Sequence, residues 1–175
     1  MFEKSKLRKE KIKKYNKEKS NDLSQIIFKD SFNGIKPIGY IENVPILKNN
    51  YIVNSSGILF AMLIRTWKDE YYIIVDSLFD ELSNDTKQFI LKHELAHKQL
   101  KHLENTNKTN GIINNIHNEI EADKFASKYY GYNTAINALD ELTKVAKTIL
   151  TGVQFHYCKR ILKKRKKYLN KYYQK

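Results

Sequence analysis

The chain predicts an α+β fold in which a small antiparallel sheet precedes a set of helices, and three observations carry that prediction. GILFAMLIRT (57–66) and YYIIVD (71–76) are β-branched and aromatic runs separated by a polar stretch from Trp67 to Glu70, the pattern of a hairpin. After them, apolar residues recur at helical spacing on both sides of a polar loop, ENTNKTNG at 104–111. Finally, FHYCKRILKKRKKYLNKYY brings Phe155, Cys158, Leu162, Leu169 and Tyr172 close to one stripe, which reads as a basic amphipathic helix after Gly152.

Each helix has its own local signals. Ser83 suits an N-cap, Asp85 complements the first turn, and Phe89, Ile90, Ala96 and Leu100 form an apolar side running to about Leu103. In the second helix, NEIEADKFASKYYGY at 118–132, the residues Ile112, Ile116, Glu119, Asp123 and Ala126 share helical spacing. Ala122 and Ala126 allow close packing there, and Gly131 supplies the stop. The chain therefore divides into a basic N-terminal extension (1–25), one globular domain (26–150) and a basic C-terminal helix (151–175).

With 175 residues, 41% of them hydrophobic and 12% aromatic, the chain is long enough for a packed core and is not disordered as a whole. Its net charge of +13 is concentrated at the ends. Residues 1–20 hold nine Lys/Arg against three Glu and residues 159–175 hold nine against none, so 21–158 carries −2. Such basic ends can meet nucleic acid or an acidic surface, or leave their lysines in water while the apolar stripe docks on the core. The longest apolar run, GILFAMLI, has eight residues, far short of the roughly 20 that span a bilayer. A charged start, MFEKSKLRKEKIKK, and a single cysteine, Cys158, lead to the expectation of a cytoplasmic protein without an internal disulfide.

Residues 93–97 read His-Glu-Leu-Ala-His. On a helix, positions i and i+4 share a face with Cβ atoms roughly 5–6 Å apart, so both imidazoles can reach one metal ion. Glu94 lies about 100° further round, where it can handle a proton at the open side of that ion. Composition alone would produce such a motif in about one chain of this make-up in a hundred, so chance is a poor explanation. A catalytic zinc needs a third protein ligand. Glu119 and Asp123 share a helix face, and we assign Glu119 as that ligand and Asp123 as the acceptor that fixes a ligand imidazole. Glu121 points about 200° away from Glu119 and reads as a solvated charge.

HELAH followed by E-x-E-A-D-x-F-A resembles the gluzincin metallopeptidases, most nearly the small soluble members of ImmA/IrrE type and the catalytic cores of CAAX-type endopeptidases, over about residues 35–140. The resemblance implies a zincin-like fold and a zinc ion held by His93, His97 and Glu119, with Asp123 supporting a ligand histidine and a sheet edge that pairs with an extended peptide. It also implies Glu94 as the catalytic base of a soluble endopeptidase, acting on an intracellular protein or peptide, a repressor-type regulator by analogy. A second reading is a regulatory or nucleic-acid-binding protein that keeps zinc for stability without proteolysis; a third is a metal-free helical protein.

No donor for a developing oxyanion stands out. His102 is rotated about 140° from His97, His117 faces away from Glu119, and Tyr130 lies about 16 Å along the helix from Glu119, so all three read as surface or cleft-rim residues. His156 and Arg160 receive no role.

Overall fold

A computed structural model describes residues 36–48, 53–54, 57–58, 60–66, 68–104 and 116–174. The expected extension at 1–25, the loop from 105 to 111, Ile112 and Trp67 lie outside the described residues. Among the rest the fold is α+β: strands β1 (Gly39–Ile41), β2 (Val44–Lys48), β3 (Val53–Asn54), β4 (Gly57–Ile58), β5 (Ala61–Arg65) and β6 (Tyr71–Val75), a single-turn helix (Ser77–Glu81), and helices α1 (Asn84–Gln99), α2 (Ile116–Tyr130), α3 (Tyr132–Ile149) and α4 (Val153–Tyr173).

The larger sheet has the order β1-β2-β6-β5 and is mixed, which corrects the antiparallel expectation. Two antiparallel hairpins, β1/β2 and β5/β6, lie side by side, and their inner strands run parallel with Ile46 opposite Ile73. The inner strands have the buried, near-continuous apolar character of parallel pairing: Ile73, Ile74 and Val75 in succession are at most 1% exposed. The β1/β2 turn puts both Glu42 and Asn43 at positive φ (44° and 65°), as a two-residue turn matched to strand twist requires. The run 57–66 is not one strand. Gly57–Ile58 pairs with Val53–Asn54 in a separate ribbon, and β5 begins at Ala61.

Helix α1 is the centre of the molecule, packed on β5 and β6 on one side and on α2 and α3 on the other. It is buried all round from Phe89 to His97. Ser83 caps its N-terminus, accepting from the Thr86 N–H, while Glu141 on α3 accepts from the Ser83 N–H (2.8 Å) and hydroxyl (2.6 Å). The helix stops at Gln99, short of the expected Leu103, because Lys101 adopts φ 58°. The Lys101 N–H then bonds Lys98 O (3.1 Å) and the His102 N–H bonds His97 O (2.9 Å), the paired bonds of a Schellman ending with lysine where glycine is usual.

Helix α3 is absent from the sequence-based expectations, although Ala135, Ala138, Leu139, Leu142 and Ala146 recur at helical spacing and are all buried. Gly131 (φ 85°) separates it from α2. Small residues dominate the α2/α3 surfaces: Ala122, Ala126, Ala135 and Ala138 are completely buried, so the helices approach closely. Helix α4 crosses α2 and α3 and puts Cys158, Leu162 and Leu169 into the core. Tyr172 and Tyr173 are both exposed, at 41% and 39%, and the Tyr173 hydroxyl still meets Ser127 Oγ at 2.8 Å while its ring lies 5.2 Å from that of Tyr132. No helix among the described residues is long and apolar enough to cross a membrane.

Because α4 seals the core, it behaves as part of the domain. Replacing the fully buried Leu169 with alanine should destabilise the protein by about 2–5 kcal/mol in urea unfolding. A loss below about 0.5 kcal/mol would show that α4 is only appended to a self-sufficient core.

Candidate metal centre

Half of the buried residues of α1 are polar, and among them Lys92, His93, Glu94 and His97 are 8% exposed or less. A buried polar group is costly unless it is partnered, so the chain must supply a partner for each. Lys92 ion-pairs with Glu42 and lies 3.7 Å from the centroid of the Tyr129 ring. Glu94 Oε2 accepts from the Leu63 N–H of β5 at 2.8 Å, tying the helix to the edge of the sheet. The two histidines belong to a larger cluster.

His93 Nε2 and His97 Nε2 lie 3.1 Å apart, because one helical turn brings their rings edge to face at 4.8 Å between centroids. Glu119, from the first turn of α2, brings Oε2 to 3.4 Å from His93 Nε2 and Oε1 to 3.5 Å from His97 Nε2. The three side chains offer ligand atoms all within 4.8 Å of one another, and they can hold a metal ion. Bonds of about 2.0–2.2 Å to a tetrahedral ion put donors about 3.3–3.6 Å apart. The two imidazole–carboxylate separations, 3.4 and 3.5 Å, lie at that spacing, and the 3.1 Å between the imidazole nitrogens is slightly shorter, so a small opening between the two rings would seat an ion.

Behind the ligands stands a supporting layer. Asp123, fully buried one turn after Glu119 on α2, lies 2.9 Å from His93 Nδ1. With Nδ1–H donating to the carboxylate, Nε2 is left to face the cluster. Arg165 of α4 clamps the same carboxylate through Nε (2.7 Å) and Nη2 (2.6 Å) and reaches Glu119 Oε2 with Nη1 at 3.2 Å. Sequence reasoning missed Arg165, since it is one of eight cations on α4 and only its angular place beside Leu162 and Leu169 distinguishes it.

The surface reading of His102 is overturned. His102 is 5% exposed, and its Nδ1 lies 2.8 Å from His97 Nδ1. Helical-wheel reasoning fails because the helix has already ended: the Schellman turn folds residue 102 back over residue 97. If His97 uses Nε2 for a metal, its Nδ1 carries the proton and His102 Nδ1 accepts it. The His102 proton then sits on Nε2, which faces Glu121 Oε2 at 3.2 Å. Glu121, 60% exposed, is thus a solvated charge that also anchors this chain. His117 and Tyr130 are exposed, as the sequence suggests, and Arg160 is exposed over the Tyr157 ring.

The electrostatics follow from burial and pairing. Burial and the Arg165 charge oppose protonation of His93, but its bonds to Asp123 and Glu119 outweigh them and raise its pKa to about 9. Burial, reinforced by charged His93, drives His97 down to about 3. Burial alone would raise Glu119, yet His93 and Arg165 hold it at about 2; Asp123 is likewise held below its ordinary value against burial by Arg165. Glu94 moves the other way, to about 7, because burial outweighs the attraction of His93 and the Leu63 N–H. A carboxyl poised near neutrality can both take and return a proton.

No protein-family model, curated protein or solved structure matches the chain.

Two predictions come from this geometry. His102→Phe removes the acceptor behind His97 while filling the space, and should weaken zinc binding about 10–100-fold; His102→Asn, which restores an acceptor, should recover part of it in competition titrations. Equal affinities for all three proteins would remove His102 from the site. Second, a metal bound through His93 Nε2 displaces a proton held with a pKa of about 9. Apparent zinc affinity should therefore rise about tenfold per pH unit between about pH 6.5 and 8.5 and flatten above about 9, with about one proton released per ion near pH 7.5. Calorimetry in buffers of different ionisation enthalpy measures that release, and its absence contradicts the assignment.

Proposed function

We propose that this chain is a zinc-dependent endopeptidase of gluzincin type on a zincin-like fold, hydrolysing peptide bonds of an intracellular protein. The observation that carries the reading is the meeting of His93, His97 and Glu119 from two helices separated in sequence, with Glu94 buried beside them. Two imidazoles and one carboxylate are the ligand set of hydrolytic zinc sites that keep a fourth position for water or substrate. A zinc ion held by His93, His97 and Glu119 would supply Lewis acidity toward water and a peptide carbonyl.

The protein's own groups do the remainder. Glu94 is the base: it takes the proton of the attacking water, which adds to the peptide carbonyl carbon, and gives that proton to the amine nitrogen as the C–N bond breaks. The Leu63 N–H holds one Glu94 oxygen in place. Asp123 orients His93 and His102 orients His97, so the two imidazoles present Nε2 to the same point. Arg165, its pKa raised above an already high value by Asp123 and Glu119, keeps a fixed positive charge that holds both carboxylates ionised and in place behind the imidazoles. Among the described residues strand β5 ends the sheet beside this helix, and an extended peptide can add to that edge through main-chain groups other than the Leu63 N–H, which Glu94 holds.

The alternative of a zinc-stabilised, non-proteolytic regulator shares the ligands but not the need for Glu94. Glu94→Gln should keep one zinc per chain by native mass spectrometry while peptide hydrolysis, assayed on a casein-type or peptide-library substrate, falls at least about 10³-fold. An active wild type whose rate survives in Glu94→Gln refutes the base assignment. A wild type that binds zinc and cleaves nothing in the library favours the regulator.

A further inference from the structure

Helix α4 carries eight cationic side chains and no acidic one between Val153 and Tyr173. Two face the protein and are paired, Arg165 with Asp123 and Glu119, Lys166 with Asp140. The other six, Lys159, Arg160, Lys163, Lys164, Lys167 and Lys171, are exposed, and none has an acidic partner among the described residues.

At 100° per residue these six fall within an arc of about 140°, on the side of the helix turned away from Leu162 and Leu169. From Lys159 to Lys171 they form a cationic strip about 18 Å long. Six pairs within the strip sit three or four residues apart, at 159/163, 160/163, 160/164, 163/167, 164/167 and 167/171. Each brings like charges together on one helix face, which disfavours the isolated helix and is relieved by a polyanion laid along the strip. Tyr157 and Tyr168, 41% and 38% exposed, stand along one margin of the strip.

We propose that this outward face of α4 is a docking surface for nucleic acid, engaging the sugar–phosphate backbone with its cations. Charge complementarity selects a polyanion, since a regular array of unpaired lysine and arginine matches closely spaced phosphates. The division of the helix selects nucleic acid over a lipid surface. A helix that lies in a membrane interface inserts an apolar face, and the apolar face of α4 (Cys158, Leu162, Leu169) is already buried in the core. The exposed tyrosines add flat rings on which unpaired bases can stack. This docking does not depend on the metal or on peptide hydrolysis. It has a consequence for the site all the same, because the helix that takes the nucleic acid on its outer face contributes Arg165 to the metal centre from its inner face.

The test is fluorescence anisotropy of the full chain with labelled 20-base-pair DNA, and with single-stranded DNA and RNA of the same length, between 50 and 200 mM salt. Each phosphate that a cation neutralises adds about 0.9 to the slope of log affinity against log salt on duplex DNA. The fourfold variant Arg160→Gln, Lys164→Gln, Lys167→Gln, Lys171→Gln should therefore lower that slope by about 3–4. A charge-matched control, Lys101→Gln, Lys128→Gln, Lys144→Gln, Lys147→Gln, removes four exposed cations elsewhere and should bind nearly as the wild type does. Stronger single-strand binding that is also abolished in the fourfold variant supports the tyrosine margin. Equal losses in the two variants mean that overall charge is the cause and overturn the proposal. So does unchanged nucleic-acid affinity in the fourfold variant, including the case in which that variant loses binding to phosphatidylserine vesicles instead. Circular dichroism and urea unfolding of each variant verify that the fold is intact.

Discussion

The site depends on one buried charge pair, Asp123 with Arg165. Asp123 is fully buried and Arg165 nearly so, with two guanidinium nitrogens on the two carboxylate oxygens. Removing either charge from water costs several kcal/mol, and only close, well-directed pairing returns it. The planar fork of arginine supplies that pairing and lysine does not. Because the carboxylate is on α2 and the guanidinium on α4, the pair locks two helices together. It also leaves Asp123 Oδ1 within hydrogen-bonding distance of His93 on α1, so three helices meet at one carboxylate.

The helix that carries the two histidines is accordingly not an amphipathic surface helix. From Phe89 to His97 it is enclosed by sheet and helices, and its polar residues are accommodated one by one: Lys92 by Glu42 and an aromatic ring, His93 by Asp123, Glu94 by the Leu63 amide, His97 by His102. These partners come from the β1/β2 turn, α2, β5 and the C-terminal turn of α1 itself. The core and the centre are therefore one structure, and the same low-dielectric surroundings that make an unpartnered group costly separate the ionisation of His93, His97 and Glu94.

Helix α4 serves two environments. Its inner side supplies leucines to the core and one arginine to the centre, while its outer side carries uncompensated positive charge. Composition shows the excess of lysine and arginine but not which cation turns inward. That selection follows from the angle each makes with the buried stripe and from where α2 presents its carboxylates.

The sequence by itself determined the local chemistry: a histidine pair one helical turn apart, a neighbouring glutamate, a second helix with Glu119 and Asp123 on one face, a serine N-cap, and the β5/β6 hairpin. Each is a short-range consequence of helical or strand periodicity, which residue order encodes directly. Helix α3 was equally local in its alanine and leucine spacing, yet no chemical motif drew attention to it. Tertiary structure alone decided that the inner strands run parallel, that Arg165 rather than another of the α4 cations enters the centre, and that His102 backs His97. The first two depend on contacts between segments distant in the chain. The third depends on where a helix ends: once Lys101 takes a left-handed conformation, the 100° rule no longer applies, and a residue assigned to the far face returns beside the metal-facing one.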